Sequence, residues 1–256
     1  IGGDSIKAIR LLRLMNKRLG SHLEVKDIFT HEDIRSLSTM LEQSTGRGDD
    51  SGRVQAIAEL ETLKQRILAD AHLSVHLPAD VEDFYPMSDI EKGMVFHNLL
   101  GGGSGIYIDR LYYQIEDSSF SFELFVRAFE LLVHKHSILR TSFNLSDFGE
   151  PLQLVHSSVS LQDHIHLQAL SGQSAAVQQA AVVRFFEDRQ RMGFPLEGAG
   201  LWSITVFELG NQQYGIGWVF HHAILDGWSN ASLMTELSNV YSRLKSDGSY
   251  WPSALK

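Results

Sequence analysis

The chain has 256 residues, 43% of them hydrophobic and 21% charged, with a net charge of -9 and no cysteine. That profile describes one large or two small globular domains. The acidity excludes nucleic acid and an anionic membrane as main partners, and the missing thiols exclude a disulfide framework, a Cys–zinc site and a thiol nucleophile.

The chain opens on Gly2-Gly3-Asp4-Ser5. Ile6, Ile9, Leu12 and Leu19 then recur on one helical face, with Lys7, Arg10, Arg13 and Lys17 elsewhere and Gly20 placed to end the helix. Val25, Ile28 and Phe29 make a short apolar turn. Ile34, Leu37 and Leu41 predict another short helix, with Thr30 as its cap. These pieces fall short of a small bundle, so a further helix is expected upstream. The abrupt start at Ile1 and the abrupt stop over Trp251 to Lys256 likewise suggest a window on something longer. Residues 44–53 are rich in Gly, Ser and Asp and read as a flexible linker, in which Arg47-Gly48-Asp49 is ordinary linker sequence. A helix is expected over 54–71 from Ile57, Leu60, Ile67 and Leu68. His72 and His76 follow it and read as solvated, because no third metal ligand lies near them in sequence.

From Val81 onward strands and helices alternate. Leu111, Tyr113 and Ile115 predict a strand; Phe125, Phe129, Leu132 and Val133 a helix; Ile138 to Phe143 a short strand; and Ala176 to Arg189 a helix. Residues 201–208 and 213–220 read as two strands turning at Gly210-Asn211. Leu233, Leu237, Val240, Tyr241 and Leu244 mark a last helix, capped by Ser229 or Asn230. Such an alternation implies a layered sheet-and-helix domain. No apolar run approaches the ~18 residues that span a bilayer, and the lack of cysteine fits a cytoplasmic location.

Two stretches carry chemistry. Ser5 follows two permissive glycines at a helix start, which exposes its hydroxyl and places it where a phosphate is favoured. The residues alone leave open whether Ser5 or Asp4 only caps the helix. The second stretch is His221-His222-Ala223-Ile224-Leu225-Asp226-Gly227. It follows a strand whose bulky residues, Tyr214, Ile216, Trp218 and Phe220, alternate with the slim Gly215, Gly217 and Val219. Continuing that alternation sends the two imidazoles to opposite faces, one into a core and one toward a cavity. Asp226 is placed to hold the turn, by a hydrogen bond or an arginine pair. His134 and His136, and His164 and His166, read as lying on a helix end and on a surface strand or loop.

The segment GGDSIKAIRLL with the following VKDIFTHEDIRSLSTML closely resembles the second half of a peptidyl carrier domain. His221 to Gly227 matches the HHxxxDG motif of condensation domains of nonribosomal peptide synthetases. Tyr85 to Met94, His136 to Phe143 and Phe194-Pro195-Leu196 resemble further motifs of that family in the same order. The resemblance implies a partial small α-helical carrier bundle plus an α/β, chloramphenicol acetyltransferase-like lobe. The expected division is residues 1–43 for the carrier without its first helix, 44–80 for a linker with a helical segment, and 81–256 for the N-terminal lobe of a condensation domain.

The resemblance further implies peptide bond formation, with 4'-phosphopantetheine on Ser5 as cofactor and no metal. His222 takes the central role beside His221, Asp226 is structural, and Gly227 keeps the site open. Arg140 and Trp228 are expected as structural neighbours, with Arg140 one candidate partner for Asp226 and an arginine of the second lobe another. The implied partners are an upstream adenylation domain, a downstream carrier domain and a phosphopantetheinyl transferase, with no nucleic acid and no membrane. The fragment alone is expected to be inactive. The Asp4 variant of the carrier turn keeps an epimerisation domain as an alternative, and a non-catalytic docking module is another.

Overall fold

In a computed structural model, residues 5–19, 21, 23–31, 33–44, 50–100 and 105–247 are described. The chain divides into two compact units, Ile1–Thr62 and Leu63–Lys256.

The first unit is helical: α1 is Ser5–Leu19, α2 Val25–Thr30 and α3 Ile34–Ser44. Asn16 ties the end of α1 to the chain that follows. Its carboxamide oxygen accepts from the Leu23 N–H, and its amide donates to the Leu23 carbonyl, both at 2.9 Å. Leu23 and Leu37 are buried. The apolar turn expected at Val25 is therefore a helix. Thr30 does not cap α3: it ends α2, its hydroxyl donating to the Lys26 carbonyl, while Asp33 accepts from the Ser36 N–H at 2.8 Å. Asp33 lies one residue from the helix start, within reach of that unpaired N–H, as Thr30 does not. Gly2, Gly3, Asp4, Gly20 and Arg47-Gly48-Asp49 lie outside the described residues. Of the stretch expected as a linker over 44–53, Ser44 ends α3 and residues 50–53 belong to α4, Asp50–Ala69.

The remaining elements are α5 Ala71–Ser74, β1 Val81–Pro86, α6 Asp89–Leu100, β2 Ile108–Glu116, α7 Phe122–Lys135, a 3-10 turn at Ser137–Arg140, β3 Thr141–Asn144, β4 Leu152–His156, α8 Leu161–His164, β5 Ile165–Ala169, α9 Ala175–Met192, β6 Trp202–Gly210, β7 Gln213–His221 and α10 Gly227–Ser246. The strand expected from Ile138 thus begins only at Thr141. In the second unit β1, β4 and β3 form a three-stranded antiparallel sheet, in that order. Leu63 and Ile67 pack against Phe84, Phe148, Leu152 and Leu154 of this layer.

The larger sheet has the order β2-β7-β6-β5, antiparallel except for the parallel pair β5–β6. Its central strands are buried on both faces. On one face the Trp218 indole donates to Asn230 of α10 at 2.9 Å, and the Phe129 ring of α7 stands 4.7 Å from Trp202 and 5.6 Å from Trp218. On the other face α9 approaches so closely that a Cβ on Gly217 would lie 2.7 Å from the Phe185 ring. The slim face of β7 is therefore a packing requirement. A Gly217→Ala variant is expected to lose ~1–3 kcal/mol of stability through overpacking; an unchanged denaturant midpoint would contradict this. The β6–β7 hairpin turns at Asn211-Gln212, both with positive φ, as a tight primed turn needs. The turn sits one residue later than expected because Gly210, φ 88°, still pairs with Gln213 across a bulge.

Candidate active site

The site is built where the central strand β7 runs out. His221 is the last residue of β7, and its Cα pairs with that of Ile108 at the start of β2. One residue on, the His222 N–H donates to the Tyr107 carbonyl at 2.8 Å, while the His221 N–H donates the other way, to Leu201, at 2.9 Å. The backbone is thus held on both sides through both histidines, and the pleat sends their rings to opposite faces.

The outcome is asymmetric. His221 is fully buried, whereas the His222 ring is 34% exposed. His221 Nδ1 accepts from the Ala223 N–H at 3.1 Å, which fixes the turn leaving the strand and requires that nitrogen to be unprotonated. Burial pushes the His221 imidazole from 6.5 down to about 4; the neighbouring His222 adds to this and Asp109 opposes it. His221 therefore stays neutral and structural. In the unfolded chain the ring protonates at its ordinary value, so between about pH 6.5 and about pH 4 the unfolded state binds more protons. Stability should then fall as the pH is lowered through that window. A His221→Gln variant, less stable at pH 7, is expected to show a shallower decline. Denaturant midpoints at a series of pH values check this, and parallel slopes for the two proteins would contradict it.

Asp226 supplies the N-cap of α10. Its Oδ1 accepts from the Ser229 N–H at 2.6 Å, and its carbonyl accepts from the Asn230 N–H at 2.9 Å. The Ser229 N–H first, and then the Ser229 hydroxyl, hold its carboxyl below the ordinary range. The cap is therefore Asp226 rather than Ser229 or Asn230. Nor is Arg140 its partner. That guanidinium is buried elsewhere, donating to the Val133 carbonyl at 3.0 Å, to Glu82 at 2.6 Å and to the His156 carbonyl. Arg140 precedes β3, and these bonds tie it to α7, β1 and β4. Gly227 opens α10, and a Cβ there would meet nothing within 4 Å. Trp228 follows it, 45% exposed.

Sequence reasoning misses Asp109, which the fold brings to His222. Its Oδ2 lies 2.6 Å from His222 Nδ1. Asp109 stands in β2 opposite Phe220 and in phase with Leu111, Tyr113 and Ile115. A lone acid in the apolar phase of a strand is the signal that could have found it.

Other histidines do not join this site. His72, His76, His134 and His166 are exposed. His136 meets Glu236 at 2.7 Å, and His164 sits 2.8 Å from the Trp202 carbonyl. His156 lies between Ser142 Oγ at 2.8 Å and Asp80 at 2.9 Å. That is the order of a nucleophilic triad, yet Ser142 is completely buried, so the set braces β3 and β4 instead. Among the described residues no three potential ligands are grouped to hold a metal, and no helix is long and apolar enough to cross a membrane.

The model of the condensation domain family matches residues 81–254, and this chain belongs to that family. A second model, described as a phosphopantetheine attachment site, matches residues 1–41, so carrier precedes condensation sequence. The AMB antimetabolite synthetase AmbE of Pseudomonas aeruginosa is 28% identical over 244 residues, which cover 95% of this chain and 11% of that protein. Tyrocidine synthase 3 of Brevibacillus parabrevis is 28% identical over 242 residues, 94% of this chain and 3% of that one. The chain thus spans about a tenth or less of these curated relatives. Among solved structures, the first condensation domain of the calcium-dependent antibiotic synthetase, in complex with a substrate analogue, superposes with a TM-score of 0.58 at 21% identity, covering 68% of this chain and 40% of that one. That likeness establishes the α/β condensation fold.

Proposed function

We propose that this chain is the part of a nonribosomal peptide synthetase that contributes to peptide bond formation. The acceptor's α-amine attacks the carbonyl of a donor thioester, a C–N bond forms, the C–S bond breaks, and the amine's proton ends on the departing thiolate. The observation that carries this reading is the asymmetry of the histidine pair. Within the family's HHxxxDG motif, His221 is sealed into the core, and His222, on the same rigid strand end, presents its ring to the surface. His222 is then the group that meets the amine, as general base or by orienting it. Asp226 holds the turn and starts α10, and Gly227 leaves the space beside it open.

In this reading residues 1–43 belong to the carrier, 44–80 connect it, and 81–256 supply the N-terminal lobe of the condensation domain. Ser5 is the first residue of α1, where unpaired backbone N–H groups and the helix dipole suit a phosphodiester. 4'-Phosphopantetheine attached there would supply the thiol that carries the donor. The partners are an adenylation domain that loads this carrier, a phosphopantetheinyl transferase and a downstream carrier that brings the acceptor, all in the cytoplasm.

Asp4 gives the epimerisation reading its one support, and a single experiment separates the two. The intact synthetase, loaded with a stereochemically pure donor in deuterated water and offered an acceptor carrier, should transfer the donor without deuterium entering its α-carbon. Deuterium at that carbon with no transfer would overturn the proposal.

A further inference from the structure

We propose that Asp109 is the positioning residue for His222, fixing its tautomer so that Nε2 is the bare nitrogen offered to the acceptor amine. The inference rests on the reading of His222 as the group that meets that amine. It begins from the 2.6 Å approach of Asp109 Oδ2 to His222 Nδ1. An ionised carboxylate only accepts hydrogen bonds, so Nδ1 must carry the proton, and a neutral imidazole then has its lone pair at Nε2.

The alternative tautomer would set a bare Nδ1 against a carboxylate, lone pair to lone pair. It would also turn an N–H toward the amine, which cannot then be deprotonated there. During the reaction the amine proton passes to Nε2 as the C–N bond forms and on to the departing sulfur as the C–S bond breaks. Asp109 goes on accepting from Nδ1 while the transient imidazolium is present.

The placement is rigid. Asp109 pairs with Phe220 across the β2–β7 ladder, and the His222 N–H donates to the Tyr107 carbonyl, so both side chains hang from adjacent hydrogen-bonded strands. The neighbouring Arg110 is engaged with Gln190 at 2.5 Å. Among the described residues, His222 is the only side chain hydrogen-bonded to Asp109. A carboxylate at a phase otherwise filled by Leu111, Tyr113 and Ile115 serves no core, and its use is the imidazole beside it.

The test has two arms. In this chain with 15N-labelled histidine, the NMR signals of neutral His222 should show the proton on Nδ1; wild-type protein with the proton on Nε2 overturns the inference without any variant. Asp109→Asn, whose carboxamide can donate to Nδ1, should move the proton to Nε2. In the intact synthetase it should lower kcat for peptide bond formation ~10–100-fold, a share of the ~10²–10⁴ that a base supplies, with KM little changed. Asp109→Glu should restore the tautomer and part of the rate. An Asp109→Asn protein with unaltered tautomer and rate would refute the role, as would one that loses rate only in step with its melting temperature. If His222→Ala loses activity while Asp109→Asn keeps it, the positioning role fails and the reading of His222 stands. Retained activity in His222→Ala sinks that reading instead, and the labelled histidine still decides whether Asp109 sets the tautomer.

Discussion

Replacing His222 with alanine is expected to slow peptide bond formation by ~10²–10⁴-fold, the usual contribution of a positioned proton-transfer group. Folding should be spared. The ring is 34% exposed, and among the described residues its one side-chain hydrogen bond goes to Asp109, itself 42% exposed. Truncation therefore opens no core cavity and strands no buried charge, and a surface-type change of this sort is worth within ~0.5 kcal/mol. Single-turnover transfer between loaded carriers in the intact synthetase measures the rate, and a melting curve measures the fold. A loss below about tenfold would assign His222 to orienting the amine rather than taking its proton. His221→Ala is the contrast: that ring is fully buried and its Nδ1 accepts from the Ala223 N–H, so its removal should lower the melting temperature.

Ser5→Ala should abolish attachment of the arm altogether. Only a hydroxyl can form the phosphodiester, so the expected effect is complete rather than graded. A phosphopantetheinyl transferase and coenzyme A should add one arm to the wild-type carrier and none to the variant, read as intact mass. An arm on the Ser5→Ala protein would show that another residue is modified. A melting curve of the alanine variant, expected to match the wild type, separates loss of the hydroxyl from loss of the fold.

The elements legible from sequence are those whose packing leaves a period. α7 buries Phe125, Phe129, Leu132 and Val133 at helical spacing, and β7 alternates bulky residues with glycine because Phe185 of α9 occupies the space beside Gly217 and Tyr112 of β2 that beside Gly215. β5 leaves no such signal, since only Ile165 of its five residues is buried and nothing alternates. β4 is hidden for the opposite reason, being buried over nearly all its length. β1 is short, acidic and ends at Pro86. The 50–53 stretch has linker composition, but it continues a helix that is established beyond it. A glycine inside that helix costs only ~1 kcal/mol.

Within the site, the motif discloses His221, His222 and Asp226 because they are close in sequence, and the packing sends the two rings apart as the strand alternation predicts. What the motif cannot disclose is long-range: Asp109 lies 113 residues from His222, brought there by strand pairing. Charge alone pairs Arg140 with Asp226, whereas the fold spends that guanidinium on Glu82 and two carbonyls.

The most direct test of the central claim follows the donor itself. With a donor loaded on the Ser5 arm and an acceptor on the downstream carrier of the intact synthetase, both carriers are weighed as intact proteins over time. The downstream carrier should gain the mass of the donor acyl group as the upstream carrier loses it, and His222→Ala should suppress both changes together. Donor lost to water without any gain downstream, or transfer at the wild-type rate in His222→Ala, would contradict the account.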